Sequence, residues 1–149
     1  MDRKTILFAD DDKEFREFMR DAIRIIGGKI HVDFEVIEAI DGEEAVSLFN
    51  SHKIDFVVTD YKMPKATAVD VIRHIVNSNP VPIIVISGYK EAESVDFVAE
   101  GAIIFVRKPF ELDHITKAFQ NAIELISSPV DHEKAKRAIE NLEKLLDRI

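Results

Sequence analysis

Cysteine is absent from this sequence, which removes disulfides and thiolate metal sites at once. Long apolar runs are missing too. No stretch approaches the roughly 18 residues that span a bilayer, and Met1-Asp2-Arg3-Lys4 lacks the apolar core of a signal peptide. The expected setting is the cytoplasm, with no membrane partner. Positive charge is in deficit: 20 Lys and Arg stand against 28 Asp and Glu, a net charge of -8. Affinity for nucleic acid comes largely from Lys and Arg, so a general nucleic-acid surface is disfavoured. The five histidines, His31, His52, His74, His114 and His132, have no metal-ligand spacing and read as surface or helix-face residues. There is no internal repeat and no low-complexity tract.

What is present describes a folded domain. A chain of 149 residues, 46% hydrophobic and 32% charged, is long enough for one real core with a small appendage. Five short apolar runs recur along it. Thr5-Ile6-Leu7-Phe8-Ala9 stops at Asp10-Asp11-Asp12, and Phe34 to Ala39 alternates as a less buried strand. Phe56-Val57-Val58 ends at Asp60 and is closed off by Pro64. Val81 to Ile86, with Pro82 confined to its start, ends at Ser87-Gly88, and Ile103-Ile104-Phe105-Val106 ends at Lys108-Pro109.

Helical periodicity fills the gaps between these runs. Phe15, Phe18, Met19, Ala22, Ile23 and Ile26 fall at steps of three and four, with Gly27-Gly28 read as the C-cap. Glu44 to Phe49 is a short helix after the Asp41-Gly42 turn. Val69, Ile72, Ile75 and Val76 stripe a third helix, Glu91 to Glu100 forms a weaker one, and Leu112 to Ile126 carries the last apolar stripe. Apolar runs without alternation read as strands covered on both faces, and their alternation with helices predicts an α/β, doubly wound, five-stranded parallel sheet. If the strand order is 2-1-3-4-5, the flavodoxin-like arrangement, strands one and three flank the switch point, where a crevice opens.

In a parallel sheet every strand ends at the same edge, where α/β proteins bind ligands. The residues leaving strands one, three, four and five are Asp10 and Asp11, Asp60, Ser87 and Lys108. Two carboxylates about 4 Å apart repel by roughly 4 kcal/mol at an effective dielectric of 20, so such a cluster needs a cation. Oxygen ligands without His or Cys select a hard ion, and a small open site suits Mg²⁺. Asp12, by contrast, reads as an ordinary acidic helix start. A metal, a carboxylate, a hydroxyl and a lysine together suit phosphoryl transfer, with the carboxylate as nucleophile.

Four motifs, Ile6-Leu7-Phe8-Ala9-Asp10-Asp11, Val57-Val58-Thr59-Asp60-Tyr61-Lys62-Met63-Pro64, Val85-Ile86-Ser87-Gly88 and Val106-Arg107-Lys108-Pro109-Phe110, stand in order. Over about residues 4–127 the chain resembles the receiver domain of two-component response regulators, of the chemotaxis-regulator kind. The resemblance implies a phosphoacceptor signalling domain, not an enzyme acting on a separate substrate. Asp60 would take a phosphoryl group from a sensor histidine kinase or phosphotransfer protein. Asp10, Asp11, Asp60 and the backbone carbonyl of Lys62 would hold Mg²⁺. Lys108 would contact one phosphoryl oxygen and Ser87 another, with Phe105 as the aromatic switch that turns as the hydroxyl moves. Lys108-Pro109 would be a cis peptide.

Several residues depart from the family pattern. Thr67-Ala68 stands where an Asp-Gly pair is usual, and a positive φ at Ala68 would cost about 1 kcal/mol relative to glycine. Ser87 replaces the commoner Thr, and Phe105 lacks the hydroxyl of the commoner Tyr. Lys62, two residues past the acceptor, is close enough to influence hydrolysis of the phosphoryl group. The link from Gly28 to Asp33 reads as a surface excursion.

Residues 128–149 are expected to form a separate amphipathic helix for docking, dimerisation or linkage. Ser128 would be its N-cap, with Pro129 at the first helical position and Asp131 completing the cap. Ala135, Ala138, Leu142, Leu145 and Ile149 form its stripe, widened by Ile139 and Leu146. A homodimer would use this helix or the face around Val98, Phe105, Arg107 and Ala118. Two rival readings stand beside the receiver. One is a haloacid-dehalogenase-type phosphatase opening on Asp10 and Asp12, which leaves Asp60 without a role. The other is a receiver-like binding module that is never phosphorylated.

Overall fold

The computed structural model describes residues 2–61, 68–88, 99–100, 103–126 and 131–147. Its elements are β1 (Asp2–Ala9), α1 (Lys13–Ile30), β2 (Val32–Ala39), α2 (Gly42–Ser51), β3 (Phe56–Asp60), α3 (Ala68–Ser78), β4 (Ile83–Ser87), β5 (Ala99–Glu100), β6 (Ile103–Arg107), α4 (Leu112–Ile126) and α5 (His132–Asp147). The sheet runs β2-β1-β3-β4-β6-β5. Its five long strands are parallel in the predicted order, with β6 as the fifth. The two-residue β5 adds an antiparallel edge beside Ile103 and Ile104.

Side chains alternate across the sheet with period two. Ile6 and Phe8, Phe56 and Val58, Ile84 and Ile86, and Ile104 and Val106 point to one face. There α1 supplies Met19, Ala22, Ile23 and Ile26, and α4 supplies Ile115, Ala118, Phe119 and Ala122. Leu7 and Ala9, Val57, Ile83 and Val85, and Ile103 point to the other, under α2, α3 and the buried Ala135, Ala138 and Ile139 of α5. Two covered faces explain why the strands read as unbroken apolar runs. The face under α1 and α4 is the aromatic one. Phe119 meets Phe56 at 5.4 Å and Phe34 at 5.6 Å, both nearly edge-on, contacts that add about 0.5–1.5 kcal/mol each beyond buried area.

Five local expectations are corrected. Helix α1 does not stop at Gly27-Gly28 but runs to Ile30, and His31 takes the left-handed cap position at φ 58° with its N–H donating to the Gly27 carbonyl. Gly27 serves close packing: a Cβ there would lie 2.6 Å from the Val32 carbonyl oxygen. The expected excursion from Gly28 to Asp33 is therefore the last turn of α1 and the start of β2, which pairs with β1 from Val32 onward. Ala99–Glu100 are strand, not helix, and the remainder of the fourth expected helix, Glu91 to Val98, lies outside the described residues. The cap of α5 is Asp131, whose Oδ1 accepts from the Lys134 N–H at 3.1 Å; Ser128 and Pro129 lie outside the described residues. Ala68 opens α3, and among the described residues only His31 has a positive φ outside glycine, so the strain considered for Ala68 does not arise.

Candidate functional site

Register builds the site. Ala9 pairs with Thr59 across β1 and β3, so Asp10, next after β1, and Asp60, last of β3, leave the sheet side by side. Asp10 is buried; its N–H donates to the Ala39 carbonyl at 3.1 Å, and its Oδ1 accepts from the Asp12 N–H at 2.8 Å. The Asp60 Oδ1 accepts from the Tyr61 N–H at 3.0 Å. Asp11 is exposed on the same rim, and one carboxylate oxygen from each of Asp10, Asp11 and Asp60 lies within 4.8 Å of the others. Lys108 follows β6 directly and reaches across from the far side. Its Nζ lies 3.8 Å from Asp10 Oδ2 and 3.6 Å from Asp60 Oδ1. The Lys108–Pro109 peptide is cis, as the resemblance implied.

Burial pushes the Asp60 carboxyl up to about 6 from an ordinary 3.8. The Lys108 charge opposes this, the Asp10 charge reinforces it, and the Tyr61 N–H lowers it slightly. Asp10 is likewise raised, first by burial, with the Asp12 N–H and Lys108 opposing. One lysine therefore leaves the anionic cluster incompletely compensated. The clearest sign is Asp10 Oδ2, a buried oxygen with no hydrogen-bond partner. A buried polar atom without a partner costs roughly 1–3 kcal/mol, and a hard cation would relieve it. An all-oxygen acidic set beside that atom fits Mg²⁺.

Asp12 is not part of this cluster. Its Oδ1 accepts from the Glu14 and Phe15 N–H groups, capping α1. That engagement removes the second acid of the phosphatase reading. Ser87 ends β4, its backbone registered against Arg107; its side chain lies outside the described residues, as do Lys62 and Thr67. Phe105 is half-buried on the face under α2, α3 and α5, whereas Ala118 is buried in the opposite core and cannot belong to a partner surface. Val98 lies outside the described residues. His31, His52 and His114 are exposed, and the partly buried His74 meets Asn50 Oδ1 at 2.7 Å, so among the described residues no histidine joins a metal cluster.

Three residues near the site were missed, a pair of arginines and a phenylalanine. Arg16 donates from Nη1 to the Asp10 carbonyl at 2.7 Å, and its Nε lies 3.7 Å from Glu38 Oε1. Arg20 clamps Glu38 Oε2 at 3.0 and 2.6 Å. Both arginines sit one turn apart on α1, a spacing visible in the sequence, but their common target is set by the β1–β2 register. The third is Phe15, whose ring lies under the Lys108 ammonium at 3.9 Å from its centroid.

The sequence profile of the response regulator receiver domain matches residues 6–120. The chain belongs to that family. Such a domain is a phosphoacceptor signalling module of two-component phosphorelays, not an enzyme with a separate substrate. Among curated proteins, this receiver is 31% identical over 121 residues to the transcriptional regulatory protein PdtaR of Mycobacterium tuberculosis, covering 80% of this chain and 57% of that protein. It is 30% identical to the response regulator GtcR of Aneurinibacillus migulanus, covering 72% of this chain and 42% of the other. It thus spans about half the length of the curated relatives it matches. Among solved structures, it resembles the response regulator TrrA of Thermotoga maritima in complex with Mg²⁺-BeF. There the TM-score is 0.65 at 26% identity, covering 82% of this chain and 99% of that one. A receiver domain from Clostridium thermocellum gives the same TM-score and identity over 81% and 94%. The acidic triad Asp10, Asp11 and Asp60 is consistent with the Mg²⁺ site of receiver domains. No helix among the described residues is long and apolar enough to cross a membrane.

Proposed function

We propose that Asp60 accepts a phosphoryl group from the phosphohistidine of a sensor kinase or phosphotransfer protein in the cytoplasm, and that the domain then signals to a partner. One observation carries this: the carboxylates of Asp10 and Asp60 and the Lys108 ammonium meet at one rim, with Asp10 Oδ2 left without a hydrogen bond. An Asp60 carboxylate oxygen attacks phosphorus, the bond from phosphorus to the imidazole nitrogen breaks, and the imidazole leaves with its electron pair. Lys108 places its charge beside Asp60 Oδ1, where the transferred oxygens gain charge in the transition state. Asp10, Asp11, Asp60 and the Lys62 carbonyl would hold Mg²⁺, which supplies neutralisation of charge on the transferring group. The Ser87 hydroxyl would take a second phosphoryl oxygen and Phe105 would turn with it. The complex of TrrA with Mg²⁺-BeF supports the metal and the acceptor chemistry.

The unit is divided as residues 1–127 for the receiver and 128–149 for an accessory helix. The burial of Ala135, Ala138 and Ile139 supports docking of that helix on its own domain. A second copy of the chain would use the exposed side of this helix or the Phe105 and Arg107 strand, and light scattering with and without beryllium fluoride reads that state. The central test is incubation with Mg²⁺ and acetyl phosphate. The expected result is a base-labile mass gain of one phosphoryl group at Asp60, lost in Asp60→Asn. Label at Asp10 would support the phosphatase instead, and no label the binding module.

A further inference from the structure

We propose that Phe15 is a positioning residue for Lys108, its ring holding the ammonium over the acidic pocket. The proposal rests on the reading of Asp60 as acceptor. Lys108 Nζ stands 3.6 and 3.8 Å from its two carboxylate oxygens, beyond the 2.7–3.2 Å of a good hydrogen bond. It stands 3.9 Å from the centre of the Phe15 ring, well inside the roughly 6 Å reach of a cation–π contact. The ring is thus a close contact of the ammonium in its own right. A lysine stem is flexible and its head strongly hydrated, and this side chain is 29% exposed. Without the ring, open water competes for the charge.

The ring is itself braced. Phe8 lies 6.2 Å from it at a tilt, Phe18 is stacked at 6.0 Å, and Phe110 is edge-on at 6.3 Å. Phe8 comes from β1, Phe15 and Phe18 from α1, and Phe110 follows the cis proline, so three segments fix the ring plane. This accounts for Phe18, an aromatic 57% exposed that the core does not need: it backs Phe15 from the solvent side. The bland alternative is that Phe15 only fills space between Phe8 and Phe110. Shape and ring charge separate the two, because fluorine drains negative charge from the ring face and barely alters its outline.

The test uses the full chain with mono-, di- and trifluorophenylalanine installed at position 15, beside Phe15→Tyr and Phe15→Leu. The rate of Asp60 labelling by acetyl phosphate with Mg²⁺ should fall stepwise with fluorination while the unfolding midpoint stays constant. The expected loss is about fivefold for the trifluoro ring and for Phe15→Leu, equivalent to about 1 kcal/mol, whereas Phe15→Tyr keeps the parent rate. Equal rates across the series, or rates that follow the unfolding midpoint, overturn the proposal and leave Asp60 as acceptor intact. If the parent chain takes no label, the acceptor reading fails by itself, and NMR decides the contact. The Lys108 ε-methylene protons should be shifted upfield by the ring and relax to ordinary values in Phe15→Leu. An unshifted parent signal overturns the contact.

Discussion

The middle of the sheet and its carboxyl edge are built from the same strands and obey opposite rules. Within β1, Ile6, Leu7 and Phe8 are almost completely buried and apolar; next after the strand, Asp10 is as deeply buried and carries an oxygen with no hydrogen bond. The centre removes apolar area from water, at about 25 cal/mol per Å². The edge takes carboxylates out of water and crowds them together, which opposes folding. The difference teaches that the rim is held in place by the interior and is arranged for what it will bind. Stability and site chemistry are therefore separable by mutation.

The largest expected effect sharpens the interior half. Phe119 is fully buried and edge-on to both Phe34 and Phe56, so Phe119→Ala should cost about 3–5 kcal/mol in urea unfolding. A loss under about 1 kcal/mol would mean that the aromatic core is not what supports the rim. The next effect has the opposite sign. In metal-free buffer, Asp60→Asn should stabilise the fold at pH 7.5 by up to about 3 kcal/mol, the equivalent of a carboxyl raised from 3.8 to about 6. The sign follows from the raised folded value: the proton is bound more tightly in the folded chain, so stability is fully present below 3.8 and is lost as pH rises through about 6. The variant and parent should therefore converge near pH 4, and Mg²⁺ should restore the parent at pH 7.5 by binding only the folded state. Parent and variant equally stable at every pH would dissolve the contrast. The smallest effect compares tight packing with open space one residue apart. Gly27→Ala should destabilise by roughly 1–3 kcal/mol, because its Cβ meets the Val32 carbonyl. Gly28→Ala has nothing within 4 Å and should stabilise α1 by up to about 1 kcal/mol. Equal midpoints for the two would refute that account of α1 against β2.

The strands and the rim residues were legible because their signals are short-range, an apolar run and then one polar residue at its end, whereas the strand order came with the family resemblance. Asp10, Asp60 and Lys108 each carried that mark, and the parallel rule gathered them. The C-terminal boundary of α1 was misread because glycine serves two purposes. At Gly27 it permits close approach of a strand, and His31, a side chain that tolerates the left-handed region better than most, ends the helix instead. The cap of α5 moved from Ser128 to Asp131 because both are good N-caps and only tertiary docking selects between them. Phe15 looked like one more apolar position on an amphipathic helix. Its contact with Lys108 depends on the reach of two side chains from distant segments, which no spacing rule encodes. Ala118 was placed on a partner surface when its helical phase already faced the core.

The rim draws Asp10 from the start of the chain and Lys108 from late in it, so only a fragment that spans nearly the whole sheet contains the pocket. During synthesis the early acids are made before their counter-charge, because the strand that carries Lys108 into place is the last long strand in the chain. A complete rim is therefore a property of the nearly complete sheet: a chain ending before β6 lacks the ammonium that faces Asp10 and Asp60.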